Sequence, residues 1–147
     1  MTSLNRPSEA ALILAVCLAL MGCGGDAAPN PAAADTTYGT AVDATDAIPV
    51  PAVAAEANRY TGLPITVDGR IADVRQSGCT LHLATGGGPP LRVDAARTGD
   101  SSCAWQVPTG EEGVAVAAGT LRVDGDTLRL SANGVQVTPV RLASPAP

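Results

Sequence analysis

The chain holds a single histidine, His82, three residues after Cys79, and this Cys-x-x-His spacing is its pattern most suggestive of metal chemistry. Zinc is gripped by three or four thiolate, imidazole or carboxylate ligands in a tetrahedral set. On a regular strand, residues three apart point to opposite faces, and no second ligand pair follows, so neither a metal site nor a cofactor is expected. Ser101 or Ser102 with His82 and Asp100 supply the residue types of a nucleophile, a base and an orienting acid. They lack the strained Gly-x-Ser-x-Gly elbow that would make the serine reactive. Glu111 and Glu112 are adjacent acids in a turn before a strand, where solvated charge is the ordinary reading rather than a glycosidase pair. Gly86-Gly87-Gly88 is followed by Pro89-Pro90, not by the Lys-Ser/Thr of a phosphate loop, and reads as a hairpin tip. No catalytic residues are expected, and the protein is not expected to be an enzyme.

The cysteines carry more information. Cys17 lies in an apolar run from Ala10 to Met21 that follows the lone basic Arg6, the layout of an export signal. A run of 12 residues is too short to span a bilayer, which needs about 20. The segment Leu20-Met21-Gly22-Cys23 resembles a lipobox, so cleavage after Gly22 and lipidation of Cys23 are expected. With two or three acyl chains, at roughly 0.8 kcal/mol per buried methylene, the anchor would be effectively permanent. Gly24 is not the Asp that resembles an inner-membrane retention signal in enterobacterial sorting, so for a Gram-negative source the periplasmic face of the outer membrane is expected. Cys79 and Cys103 remain in an oxidising compartment as the one intramolecular pair, and a structural disulfide is favoured. Closing their loop would remove unfolded-chain entropy worth about 3–4 kcal/mol.

Residues 1–22 read as the signal, and 23–46 as the lipidated cysteine and a disordered linker of Ala, Pro, Thr, Asp and Gly, with a coil reach of roughly 25–30 Å. Residues 47–142 read as one domain and 143–147 as a disordered tail. The linker carries Asp26, Asp35, Asp43 and Asp46 and no base, whereas eight arginines nearly balance nine acids from Ala47 onward. That balance lacks the basic footprint of a nucleic-acid binder, and Tyr60 and Trp105, the latter also expected as the only large anchor of an aliphatic core, are too few for base stacking.

Ala52–Arg59 suits a short helix beside Pro51. Ile65, Val67, Gly69 and Ile71 alternate as a first strand with a bend at Gly69. Further strands are expected at 79–84, from Leu91, at 114–118 and 119–123, and at 127–130 and 135–140, with Asp124-Gly125-Asp126 and Asn133-Gly134 as turns. A polar excursion from Ala95 to Gly113 carries Cys103, Trp105 and Val107-Pro108. Leu-Arg-Val-Asp occurs at 91–94 and again at 121–124, and with nothing around it repeating it reads as coincidence between similar strands. The pattern fits an all-β, five-stranded Greek-key barrel of the OB type, preceded by a short helix, with an open sandwich as the main alternative.

Tyr60-Thr61-Gly62, then Ile65-Thr66-Val67-Asp68-Gly69, and later Val107-Pro108 with Gly113, resemble a family of small bacterial envelope proteins of unknown function with an OB-like domain. The likeness covers roughly residues 52–137. The family's Val-Cys-x-x-x-Gly-Cys-Trp element meets Val74-Arg75-Gln76-Ser77-Gly78-Cys79-Thr80 here, so Arg75 stands for the first cysteine and Thr80 for the tryptophan. The resemblance thus implies the fold more than a redox or metal role. The expected function is a membrane-anchored, non-enzymatic binding or accessory module. It would meet an envelope protein, glycan or small ligand through its outer face or the 95–113 loop, with Arg97 and Trp105 as candidate contacts. The alternative is a thiol-redox or metal-binding protein using Cys79, Cys103 and His82.

Overall fold

The computed structural model describes residues 34–140. The signal segment 1–22, the lipid site at Cys23 and the tail 143–147 lie outside the described residues. The elements are β1 (Thr36–Gly39), β2 (Ile48–Pro49), α1 (Val50–Ala55), α2 (Ala57–Tyr60), β3 (Pro64–Val74), β4 (Thr80–Leu83), β5 (Leu91–Ala95), β6 (Gly113–Asp124) and β7 (Thr127–Pro139).

Period-two alternation builds the wall. Leu81 and Leu83 of β4, Leu91 and Val93 of β5, Leu121 of β6 and Leu130 of β7 are fully buried, while Thr80, His82, Arg92, Asp94, Arg122 and Arg129 between them stay outside. Each inward leucine contributes about 1.5–3 kcal/mol of burial. β3 serves two partners, pairing through Pro64–Arg70 with β6 and through Ile71–Val74 with β4. β4 pairs with β5, β5 runs parallel to β7, and β7 returns to β6, closing a five-stranded all-β barrel of the OB type. The handover along β3 falls beside Gly69, where a side chain would meet Val50 of α1. Val50 and Val53 are fully buried, so α1 plugs the barrel with one apolar side. The expected single helix is two, parted at Glu56 (φ −127°, ψ 37°).

Two further regions depart from expectation. Asn133-Gly134 is not a turn: β7 runs through it. Ala118 pairs with Gly134 and Gly119 with Ala132, so Asn133 is the extra residue of a β-bulge. Here β7 exchanges one neighbour for another, since its pairing with β5 ends at Ala132 and its pairing with β1 starts at Gly134. The same irregularity falls between Ala118 and Gly119, so the two strands expected at 114–123 are one bent β6.

The second correction concerns residues 34–46, expected to be linker. Thr36–Gly39 pair antiparallel with Gly134–Val137, and Asp35 accepts hydrogen bonds from Gln136 Nε2 (2.8 Å) and Thr138 Oγ1 (2.6 Å). Ile48 then pairs with Val67 on the far side of β3. Residues 34–49 are a strap from β7 to β3. Its composition has no apolar period because its order comes from backbone pairing with strands already in place, helped by Tyr38 and Ile48 against the core.

Candidate functional site on the barrel wall

The cysteines are joined: Cys79 and Cys103 have Cα atoms 5.8 Å apart and form a disulfide. This binds the start of β4 to a small hairpin within the 96–112 loop, in which Arg97 bridges Cys103, Ala104 N–H donates to Ala96 C=O, and Ser101 turns the chain at φ 66°. Asp100 accepts from the Thr98 and Ser102 side of this turn, which lowers its carboxyl to about 2. Arg97 Nη1 donates to Ser101 C=O at 3.1 Å and to Cys103 Sγ at 3.5 Å, so this guanidinium belongs to the hairpin.

Trp105, expected as a possible ligand contact, is only 3% exposed, and its Nε1 donates to Ala132 C=O at 2.9 Å. It is a core anchor, because its ring is the one large apolar body with which so aliphatic a barrel can be filled. Ser101, Ser102 and Asp100 lie in the hairpin. His82 instead lies on β4 beside β3, its Nδ1 3.4 Å from Asp73 Oδ2. Cys79 is tied to Cys103, and among the described residues no group of three or more His, Cys, Asp or Glu side chains is placed to hold a metal.

What the sheet does bring together is a row of charge. Register places Asp73 opposite His82, His82 opposite Arg92, Arg92 opposite Arg129, and Arg129 opposite Arg122, one rung across five strands on the outer wall. Asp94, from the next rung, sits between two of the arginines. Arg92 Nε donates to its Oδ1 at 2.8 Å and Oδ2 at 3.0 Å, Arg129 Nη2 and Nε donate to Oδ2 at 3.0 and 3.2 Å, and Thr80 Oγ1 donates to Oδ1 at 2.8 Å. Burial by itself would raise the Asp94 carboxyl, but the hydrogen bonds from Arg92, Thr80 and Arg129 outweigh it and hold the group below the usual range. Arg129 Nη1 also reaches Asp124 Oδ2 at 3.5 Å.

The repeated Leu-Arg-Val-Asp therefore has a structural consequence that reading it as coincidence missed. One copy lies on β5, parallel to β7, and the other on β6, antiparallel to it, so both flank Arg129. Each copy sets an arginine beside Arg129, and the two acids lie towards opposite ends of it. The repeat itself was the visible signal; strand order, which the sequence does not display, gives it meaning.

A separate groove of about 540 Å³ lies between the strap and β3, β6 and β7, lined by Ala41, Val42, Ile48 and Ile65 among others, with Asp46 as its one ionisable lining residue.

No family model matches this chain, and no curated protein matches it. Among solved structures it is similar to a Leishmania major Friedlin protein assigned as an aspartyl-tRNA synthetase, with a TM-score of 0.51 and 18% identity over 73% of this chain. The match spans 23% of that protein's length, and at this identity it speaks for the shared barrel fold.

Proposed function

We propose that the chain is a lipid-anchored envelope lipoprotein whose barrel is a non-enzymatic binding or accessory module, acting through its outer wall. One observation carries this reading: the barrel interior is filled by fully buried aliphatic side chains, and no polar or charged side chain is buried among the described residues. Polar recognition is thus left to the exterior, where the charged rung lies. The anchor rests on the Leu20–Cys23 pattern alone. Cys23→Ser is expected to move the protein from the membrane to the soluble fraction with an unchanged thermal melt. Retention of that variant on washed membranes would mean that the lipobox reading is wrong or that the domain binds membrane itself, and a protein mass unchanged under globomycin would overturn the anchor.

A further inference from the structure

We infer that the hollow between Arg122 and Arg129 is a binding site for a phosphate monoester. The inference deepens the binding-module reading and rests on it. Residues Asp94, Arg122, Asp124, Arg129 and Ser131 line this hollow, whose volume is about 240 Å³. Three guanidinium groups stand side by side on neighbouring strands about 5 Å apart, an arrangement that is repulsive unless anions intervene. The two carboxylates present do not treat the arginines alike. Asp94, only 21% exposed, takes the Nε edge of Arg92 and the Nε and Nη2 edge of Arg129. It fixes both side chains and leaves the two terminal nitrogens of Arg92 without a partner among the described residues.

Arg122 occupies in its Leu-Arg-Val-Asp the place that Arg92 occupies in the other, yet it has no side-chain hydrogen bond or ion pair among the described residues. Asp124, two residues on, turns to Arg129 Nη1 instead, at 3.5 Å and 61% exposed. This is the longest and most open contact of the network. Asp124 thus stands as a displaceable counterion, and Asp94 as the clamp that orients the arginines. A doubly charged tetrahedral oxyanion placed between Arg122 and Arg129 would accept from both forks, satisfy the unpaired guanidinium and let Asp124 swing out to water. A planar carboxylate supplies one charge and two oxygens and suits the pair less well. A soluble phosphate and one carried by a lipid headgroup are recognised by the same chemistry.

The test is a titration of the full chain carrying Cys23→Ser with inorganic phosphate near pH 7.5 at fixed ionic strength, followed through the arginine Nε–H resonances, with acetate as control. Phosphate should shift Arg122 and Arg129 saturably, and Arg122→Gln should weaken binding about tenfold. The discriminating pair is Asp124→Asn and Asp94→Asn. Each removes one negative charge, so general electrostatic attraction would tighten both alike. The site requires Asp124→Asn to tighten binding and Asp94→Asn to weaken it. Equal tightening, or wild-type affinity in Arg122→Gln, overturns the site. Retention on phosphatidic acid vesicles but not on phosphatidylcholine vesicles, abolished by Arg122→Gln, identifies a headgroup source, and phosphate binding without retention identifies a soluble one. Release of phosphate from a bound monoester would overturn the non-enzymatic reading while leaving the site in place.

Discussion

The strap (residues 34–49) and the 96–112 loop are both irregular, and both end on the same bend of β7. Asn133 C=O accepts from Thr40 N–H at 3.1 Å, and the preceding carbonyl, Ala132, accepts from Ala96 N–H at 2.8 Å and Trp105 Nε1 at 2.9 Å. They are held differently. The loop is secured by a covalent bond and a buried ring, two side chains that cannot be exchanged for others. The strap is secured chiefly by main-chain pairing, with Asp35 bonded to Gln136 and Thr138, and by close approaches that leave no room for side chains: Gly39 has φ 77° with Trp105 close beside it, and Gly134 sits directly under the Thr40 backbone. Adjacent carbonyls of one bulged strand thus hold one segment by residue chemistry and another by backbone geometry.

That contrast can be broken from either side. The largest effect should come from Trp105→Ala, which empties the loop's core anchor and is expected to cost about 3–5 kcal/mol in chemical denaturation. A loss below 1 kcal/mol would mean that the ring is dispensable and the disulfide alone secures the loop. Reducing Cys79–Cys103 should come next, at about 3 kcal/mol and a fall in Tm of roughly 10 °C. It should speed amide exchange at Ala104 far more than at Thr40, and a red shift of Trp105 emission would show that the covalent bond, not the indole hydrogen bond, keeps the ring buried.

Gly134→Val tests the strap. The added side chain must collide with the Thr40 backbone, and a loss of about 1–3 kcal/mol is expected, with new proteolytic cleavage between Thr40 and Ala47. Unchanged resistance to protease would show that β1 pairing tolerates a shift. The smallest effect is on pH. Asp100 is lowered in the folded state, so its contribution is present above its unfolded value near 3.9 and is lost as pH falls through about 2. The Ser102 amide should therefore move in NMR over that acidic range, and Asp100→Asn should abolish the movement while leaving the strap amides unchanged.

Legibility in the sequence follows the same division. The alternation Leu81-His82-Leu83 and Leu91-Arg92-Val93 exposes the barrel strands directly; the break in β3 was expected at Gly69, but Gly69 pairs regularly with Ala115 and the irregularity falls between Ile71 and Asp73. The Cys79–Cys103 pairing was legible because the other two cysteines had other expected fates. Residues 34–46 were not, since edge pairing requires only a backbone and a neighbour, and neither leaves a compositional trace. Asn133-Gly134 misled because the same dipeptide that favours a tight turn also suits a bulge, where a small residue lets another chain cross closely. The charged rung was hidden for a topological reason: Arg92, Arg122 and Arg129 become neighbours only when β5 and β6 take opposite sides of β7.

The pairing of Thr36 with Val137 also bears on how the domain can be re-engineered. The first and last described strands lie antiparallel, so the chain enters and leaves at one place on the wall. A short bridge from residue 140 back to residue 34 would span little distance, and the exposed Gly86-Gly87-Gly88 tip offers a place to open the chain instead. In such a circular permutant the strap would cease to be a leading arm and become an internal hairpin arm of β7, synthesised after β7 and still before β3.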